Sequence, residues 1–219
     1  MAKDKLHAHI VLDRSGSMSG RRASVISAVN EYVSALAADK DIDARISLTL
    51  FDTPYNSPAA IDTVVDNVKT KDWQALTNDT YVPRGGTPLN DAIGKVVHDM
   101  QKIKLRSGEN VAIVILTDGL ENESKEYTAE AIKRILDAKQ KDGWLVIYLG
   151  ANQDAFAEGN KRGLAMGTTM NFAEAAYGDT LAVAAASTLR YSKSVGGAAE
   201  KLAAAKFTDQ ERAMAVGRK

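Results

Sequence analysis

The chain has 219 residues, 45% hydrophobic and 26% charged, an ordinary globular composition that is long enough for one α/β domain and a short appendage. Its 28 basic and 28 acidic residues balance, so there is no general attraction to nucleic acid or to an anionic membrane. It has no cysteine, which excludes disulfide scaffolds, zinc–thiolate sites and thiol nucleophiles.

The first apolar segment, residues 6–12, reads as a strand ending at Asp13. It holds two histidines and is too short for a signal-peptide core or a membrane span, so the expected location is the cytoplasm. A turn-like stretch, 14–20, leads into a helix over 21–38, with Val25, Val29, Tyr32, Val33 and Leu36 at helical spacing. Residues 45–51 alternate as a second strand. The Pro54 to Pro58 turn then returns the chain into a third strand, 59–65, paired with the second as a hairpin. Residues 69–81 show no clear period. The loop 82–88 carries Gly85, Gly86 and Thr87, and Pro88 suits the first turn of a helix running to about residue 105 and stopped by Ser107-Gly108.

Residues 111–116 are a continuous apolar run, the pattern of a parallel strand buried on both faces, and they end in Thr117-Asp118-Gly119. A helix over 128–141, a buried strand over 144–149, a helix over 152–162 and a short strand over 168–172 follow. Alternating strands and helices predict an open, mostly parallel α/β sheet with helices on both faces and right-handed crossovers. After Phe172 an alanine-rich helix, 173–192, closes a domain of residues 1–192. Residues 193–219 form a helical tail, broken at Gly196-Gly197, whose Thr208-Asp209-Gln210-Glu211 fits a capping box.

Ligands of open α/β sheets bind beyond the carboxyl ends of the strands, where strand order reverses. Two polar clusters sit at such ends, Asp13-Arg14-Ser15-Gly16-Ser17 and Asp118-Gly119, and their carboxylates meet if the two strands are neighbours. Aspartate, serine and threonine supply only oxygen, which suits a hard cation such as Mg2+, or Mn2+, rather than a soft metal. Gly16 allows a tight turn and Gly85-Gly86 a close approach of the Thr87 loop. Two aspartates balance a divalent charge while hydroxyls add none, so the ion stays electrophilic toward an open position that a partner's carboxylate would fill.

Asp13-Arg14-Ser15-Gly16-Ser17-Met18 resembles the Asp-x-Ser-x-Ser signature of von Willebrand factor A domains. Gly86-Thr87-Pro88-Leu89 and Thr117-Asp118-Gly119 resemble that family's threonine and second aspartate loops, in the same order and at similar separations. The similarity extends over residues 5–172 and the start of the final helix. It implies a Rossmann-like sheet with one antiparallel edge strand and a metal-ion-dependent adhesion site (MIDAS) at its top. Carried over, Ser15, Ser17 and Thr87 would bind the metal directly, Asp13 and Asp118 would act through water, and an Asp or Glu of a protein partner would complete the shell. The compact, cysteine-free chain looks like the intracellular bacterial or phage members of the family.

Other polar residues have plainer readings. His7 and His9 lie about 13 to 20 Å along the strand from Asp13 and read as polar positions toward its far end. His98 is expected at the surface, and Asp52 in a cap or turn. Asn152 and Asp154 fit either the rim or a helix start. Glu121, Asn122 and Glu123 read as a solvated loop, and Arg21 and Arg22 as a solvated helix face. The expected function is a metal-dependent protein-binding module, not an enzyme. The alternatives are a metal-dependent phosphoryl-transfer or hydrolytic enzyme and a structural component of a phage or bacterial assembly. Against the enzyme, Asp13-Arg14-Ser15 lacks the second carboxylate of an Asp-x-Asp phosphatase loop, and no phosphate-binding loop or Gly-x-Ser-x-Gly elbow is present.

Overall fold

The computed structural model describes residues 3–106, 108–151 and 154–217. Among them, six strands form one sheet: β1 (Asp4–Asp13), β2 (Ile42–Asp52), β3 (Ala60–Lys69), β4 (Asn110–Thr117), β5 (Leu145–Ala151) and β6 (Thr169–Phe172). The spatial order is β3-β2-β1-β4-β5-β6. Every pairing is parallel except that of β3 with β2. The connection after β1 leads to β2 on one side, and the chain reaches β4 on the other side only after β3. Strand order therefore reverses between β1 and β4, and the carboxyl ends of those two strands flank the crevice.

Helices cover both faces, as the strand–helix alternation predicts. Even-numbered β1 residues, Leu6, Ala8, Ile10 and Leu12, point into one core with α1 (Arg22–Ala38) and α5 (Tyr177–Lys193). Val11 and Phe51 point into the other, with α2 (Leu89–Gln101), α3 (Ala129–Lys141) and α4 (Ala155–Lys161). β4 is buried along its whole length, as its unbroken apolar run requires. β3, at the edge, is fully buried at none of its positions and carries exposed Asp62, Asp66 and Lys69, charges that blunt an open strand edge. A bulge sets Asp66 and Asn67 against Ser47. Asn67 takes φ 49°, a left-handed conformation that asparagine tolerates, and its N–H donates to Ser47 Oγ at 2.8 Å.

α2 stops at Gln101, short of residue 105, because Lys102 N and Ile103 N bond back to Asp99 O and Met100 O in a tightening last turn. The expected stop residue Ser107 lies outside the described residues. The 69–81 segment, without a sequence period, is held by side chains. Asn30 Oδ1 accepts from Trp73 Nε1 at 3.0 Å and Leu76 N at 2.8 Å, while Asn30 Nδ2 donates to Leu76 O at 2.9 Å. Asn30→Ala should therefore cost about 2 kcal/mol and lower the melting temperature by about 4–8 °C. A change below about 1 °C in thermal denaturation would show that this clamp contributes nothing.

The chain after β6 returns to the first core. Ala205, Phe207 and Ala215 join it, beside α6 (Ala198–Ala204) and α7 (Asp209–Ala215). Ala173 N bonds to Ala215 O at 3.0 Å. The Thr208–Glu211 capping box is present, with both reciprocal hydrogen bonds formed.

Candidate metal centre

β1 ends at Asp13 and β4 at Thr117, side by side in the sheet, so the loops after them share one rim. Asp13 is fully buried. Its Oδ1 accepts from Ser15 N at 2.7 Å and its Oδ2 from Thr117 Oγ1 at 2.5 Å. Ser17 Oγ donates to Asp118 Oδ1 at 2.6 Å and lies 3.1 Å from Ser15 Oγ, so the two serine hydroxyls and Asp118 form one connected group. Thr87 arrives from the third loop. A Cβ on Gly119 would sit 2.9 Å from Thr87 Oγ1 and 3.7 Å from Asp13 Oδ2, so both oxygens border the same point and a side chain there would intrude between them. Asp13, Ser15, Ser17, Thr87 and Asp118, expected to act together, thus come from three chain segments to one place.

Hydrogen bonds to backbone oxygens lock these loops to one another. Gly16 N donates to Gly85 O at 2.9 Å, Arg84 N to Arg14 O at 2.7 Å, and Tyr81 Oη to Asp13 O at 2.6 Å. Thr53 and Gly86 form an antiparallel bridge that ties the threonine loop to the end of β2. Asp52, expected in a turn or cap, is instead the buried centre of an ion-pair network. Arg14 reaches it at 2.6 Å and Arg84 at 2.5 Å, and Arg14 also reaches Asp62 at 2.8 Å. Breaking such a buried pair from one side strands a charge, so Asp52 holds the first and second loops in register.

Two surface readings are corrected. Glu121 is not a solvated loop residue. Its carboxylate accepts from Asn90 N, Glu123 N, Ser124 N and Ser124 Oγ, capping the first turn of α2 from a distant loop. Asn122 Oδ1 accepts from Thr87 N at 2.8 Å, which places the threonine directly. In return Asp91 accepts from Lys125 N, Glu126 N and Tyr127 N. The tie exists because α2 begins at Leu89 behind Pro88, which offers no side-chain cap. Nor do Arg21 and Arg22 form a solvated face. Arg21 Nη1 lies 3.0 Å from Asp118 Oδ2, and Arg22 Nε donates to Tyr81 O at 2.7 Å.

His9, a polar position four residues before Asp13, lies in the middle of β1. It is buried against Thr49, with Nε2 2.8 Å from Thr49 Oγ1, and burial lowers its pKa to about 3. His98 is exposed as expected. Asp154 caps α4 through Ala157 N, while Asn152 lies outside the described residues.

The electrostatics favour a cation. Burial raises the Asp13 pKa from 3.8 to about 6, opposed by hydrogen bonds from Ser15 and Thr117 and reinforced by the charge of Asp118. Among the described residues no three His, Cys, Asp or Glu side chains cluster to hold a metal by themselves. The donors here are two carboxylates with three hydroxyls, an all-oxygen set that fits a hard divalent ion and no soft one.

Residues 9–121 match the sequence model of the von Willebrand factor type A domain. No curated protein matches the chain. The von Willebrand factor domain of the type V pili tip protein Mfa5 from Porphyromonas gingivalis has a TM-score of 0.68 at 12% identity, covering 90% of this chain and 99% of that one. Proximal thread matrix protein 1 from the mussel byssus, solved with a zinc-occupied MIDAS motif, gives 0.58 at 14% identity, covering 84% of this chain and 46% of that one. The pilus adhesin SpaC from Lactobacillus rhamnosus GG gives 0.63 at 13% identity, covering 88% and 30%. The chain spans nearly all of the first and less than half of the other two, and identities this low establish a shared fold. With more than half of its length matched by the family's sequence model and the same fold in these solved structures, the chain belongs to the von Willebrand factor type A domain family.

Proposed function

We propose that the chain is a divalent-cation-dependent protein-binding module. Ser15, Ser17 and Thr87 would hold Mg2+, or Mn2+, directly, and Asp13 and Asp118 would hold it through water. A bound ion supplies a Lewis-acidic position open to a carboxylate, so the partner is a protein presenting Asp or Glu. The observation that carries the reading is the convergence of two carboxylates and three hydroxyls from three separate loops around the buried, uncompensated carboxylate of Asp13. The hydroxyls add no charge, which leaves the ion's pull on an incoming carboxylate undiminished. The locked backbone of the three loops means that little ordering is needed on binding.

A second reading, a structural part of a bacterial or phage assembly, is favoured by fold likeness to a pilus tip protein and a pilus adhesin. The two readings share this site and differ in the partner.

Calorimetric titration with Mg2+ and Mn2+ tests the proposal. The parent should bind one ion, and Asp13→Ala and Thr87→Ala, shown folded by circular dichroism, should lose at least about tenfold in affinity. Water-proton relaxation of the Mn2+ complex should then change when a glutamate-bearing peptide is added, as it displaces a bound water. A parent that binds neither ion, or variants that bind as well as the parent, would sink the reading.

A further inference from the structure

Arg21 stands where sequence patterning predicts nothing but solvent. It is the last residue of the short 3-10 helix, Gly16–Arg21, that follows the first metal loop. Its Nη1 donates to Ser17 O at 2.8 Å and to Asp118 Oδ2 at 3.0 Å. Its Nη2 bonds to the Glu174 carboxylate, in the turn before α5, and its Nε is buried without a partner. The Asp118 side chain is 2% exposed. One of its oxygens takes the Ser17 proton and the other takes Arg21, so both are engaged.

We propose that Arg21 is a tethered internal cation that competes with the divalent ion for the charge of Asp118 and so sets the affinity of the site. This rests on the proposed metal-binding function. Of the five proposed ligands only Asp13 and Asp118 are carboxylates that can balance a divalent charge, and Asp118 already shares its charge with a guanidinium that cannot lose its proton. Guanidinium and metal ion repel each other in a partly buried site where screening by water is weak. The hold on Ser17 O and Glu174 keeps Arg21 in place, so it cannot simply swing into solvent. Arg21 is thus a positioning residue acting through Asp118. Its removal has the opposite sign to that expected of a merely structural side chain, since binding should tighten.

The coupling is reciprocal: whatever Arg21 takes from cation affinity, the cation takes from the Arg21–Asp118 bond. Coupling between sites of this kind spans roughly 5- to 150-fold in affinity.

The test is titration of the full chain with Mg2+ alone, and separately with Mn2+ alone, for the parent, Arg21→Met, Arg21→Gln and Arg21→Lys. Arg21→Met should bind Mg2+ about tenfold or more tightly than the parent, and Arg21→Lys, which keeps the charge, should stay near it. Arg21→Gln keeps hydrogen-bonding capacity without charge and replaces the methionine variant if that one fails to fold. It should tighten in the same direction. A second readout is thermal stability. In EDTA the neutral variants should melt below the parent, because Asp118 has lost its counter-charge, and Mg2+ should raise their melting temperature more than it raises the parent's. Neutral variants that fold and bind Mg2+ as weakly as the parent, or more weakly, overturn the inference while leaving the metal site standing. If neither the parent nor any variant binds either ion, the proposed function fails and the inference fails with it.

Discussion

In EDTA at neutral pH, Asp13→Asn is expected to be more stable than the parent by up to about 3 kcal/mol, and Mg2+ is expected to shrink or reverse that gain. The Asp13 carboxylate is fully buried, receives one backbone N–H and one hydroxyl, and faces the charge of Asp118. Its pKa in the fold, about 6, lies above its ordinary 3.8. The folded state therefore holds this proton more tightly than the unfolded chain does. The associated stability is fully present below about pH 4 and is lost as pH rises through 6. Asparagine removes the charge and keeps an oxygen for Ser15 N, and its amide can donate to Thr117 Oγ1, which also donates to Gly119 O. The gain corresponds to roughly 6–12 °C in melting temperature for a domain of this size.

His9 makes the pH profile diagnostic. Burial holds its pKa at about 3, below the ordinary 6.5, with the charge of Asp99 raising it and that of Lys95 lowering it. The unfolded chain binds this proton more tightly, so His9 favours folding above about pH 6.5 and costs about 1.4 kcal/mol for each unit of acidification below it. Between about pH 4 and 6 the two groups oppose each other, and removing Asp13's contribution should leave a steeper acid loss in Asp13→Asn than in the parent. Urea midpoints from about pH 7 to about pH 4 in EDTA measure both effects. Equal stability of the two proteins at neutral pH would contradict the account.

The second large effect is expected at Gly85. Its φ is 63°, and a Cβ there would lie 1.6 Å from Thr53 O, a backbone atom that cannot turn aside. Gly85→Ala must open the Thr53–Gly86 bridge, and it should destabilise the domain by at least about 3 kcal/mol, close to 10 °C in melting temperature. Gly85 O also accepts from Gly16 N, so the serine loop shifts as well and cation affinity should fall at least about tenfold. Gly20→Ala is the matched control, because nothing lies within 4 Å of its added Cβ and its φ is not positive. Similar melting temperatures for the two alanine variants would refute the steric argument.

Gly16 and Gly85 show how far a sequence carries such an argument. Both read as glycines that let loops close. An added Cβ at Gly16 meets ordinary contact, 3.4 Å from Gly85 O, while Gly85 cannot tolerate one. Four of the five oxygen-bearing residues of the rim, Asp13, Ser15, Ser17 and Asp118, are legible because each ends or follows a strand, and strand ends announce themselves through apolar runs and turn residues; Thr87 is legible from the two glycines before it and the proline after it. β4 and the Thr208–Glu211 capping box were legible for the same reason, each being a local pattern. Asp52, Tyr81, Asn122, Glu121 and Arg21 were not. Each has at least one partner tens of residues away, and a polar side chain held by a distant group leaves no period in the sequence. Arg21 and Glu121 looked solvated because charged residues on helices and loops usually are. What distinguishes them is the reversal of strand order that folds three loops onto one crevice.

The central place of β1 has a consequence in time. β1 has β2 on one edge and β4 on the other, and Leu6 pairs with Ala44 in one direction and with Asn110 in the other. During synthesis the first partner emerges soon after β1. The second follows about 100 residues after β1, a delay of roughly 5–20 s at ordinary translation rates. For that interval one edge of β1, whose residues from Ala8 to Asp13 are all buried in the finished fold, has no strand beside it, and the chain is most exposed to mispairing and to capture by chaperones. Closure of that edge is also the event that first brings Asp118 beside Asp13, so the rim comes into being only when the sheet's longest-range contact is made.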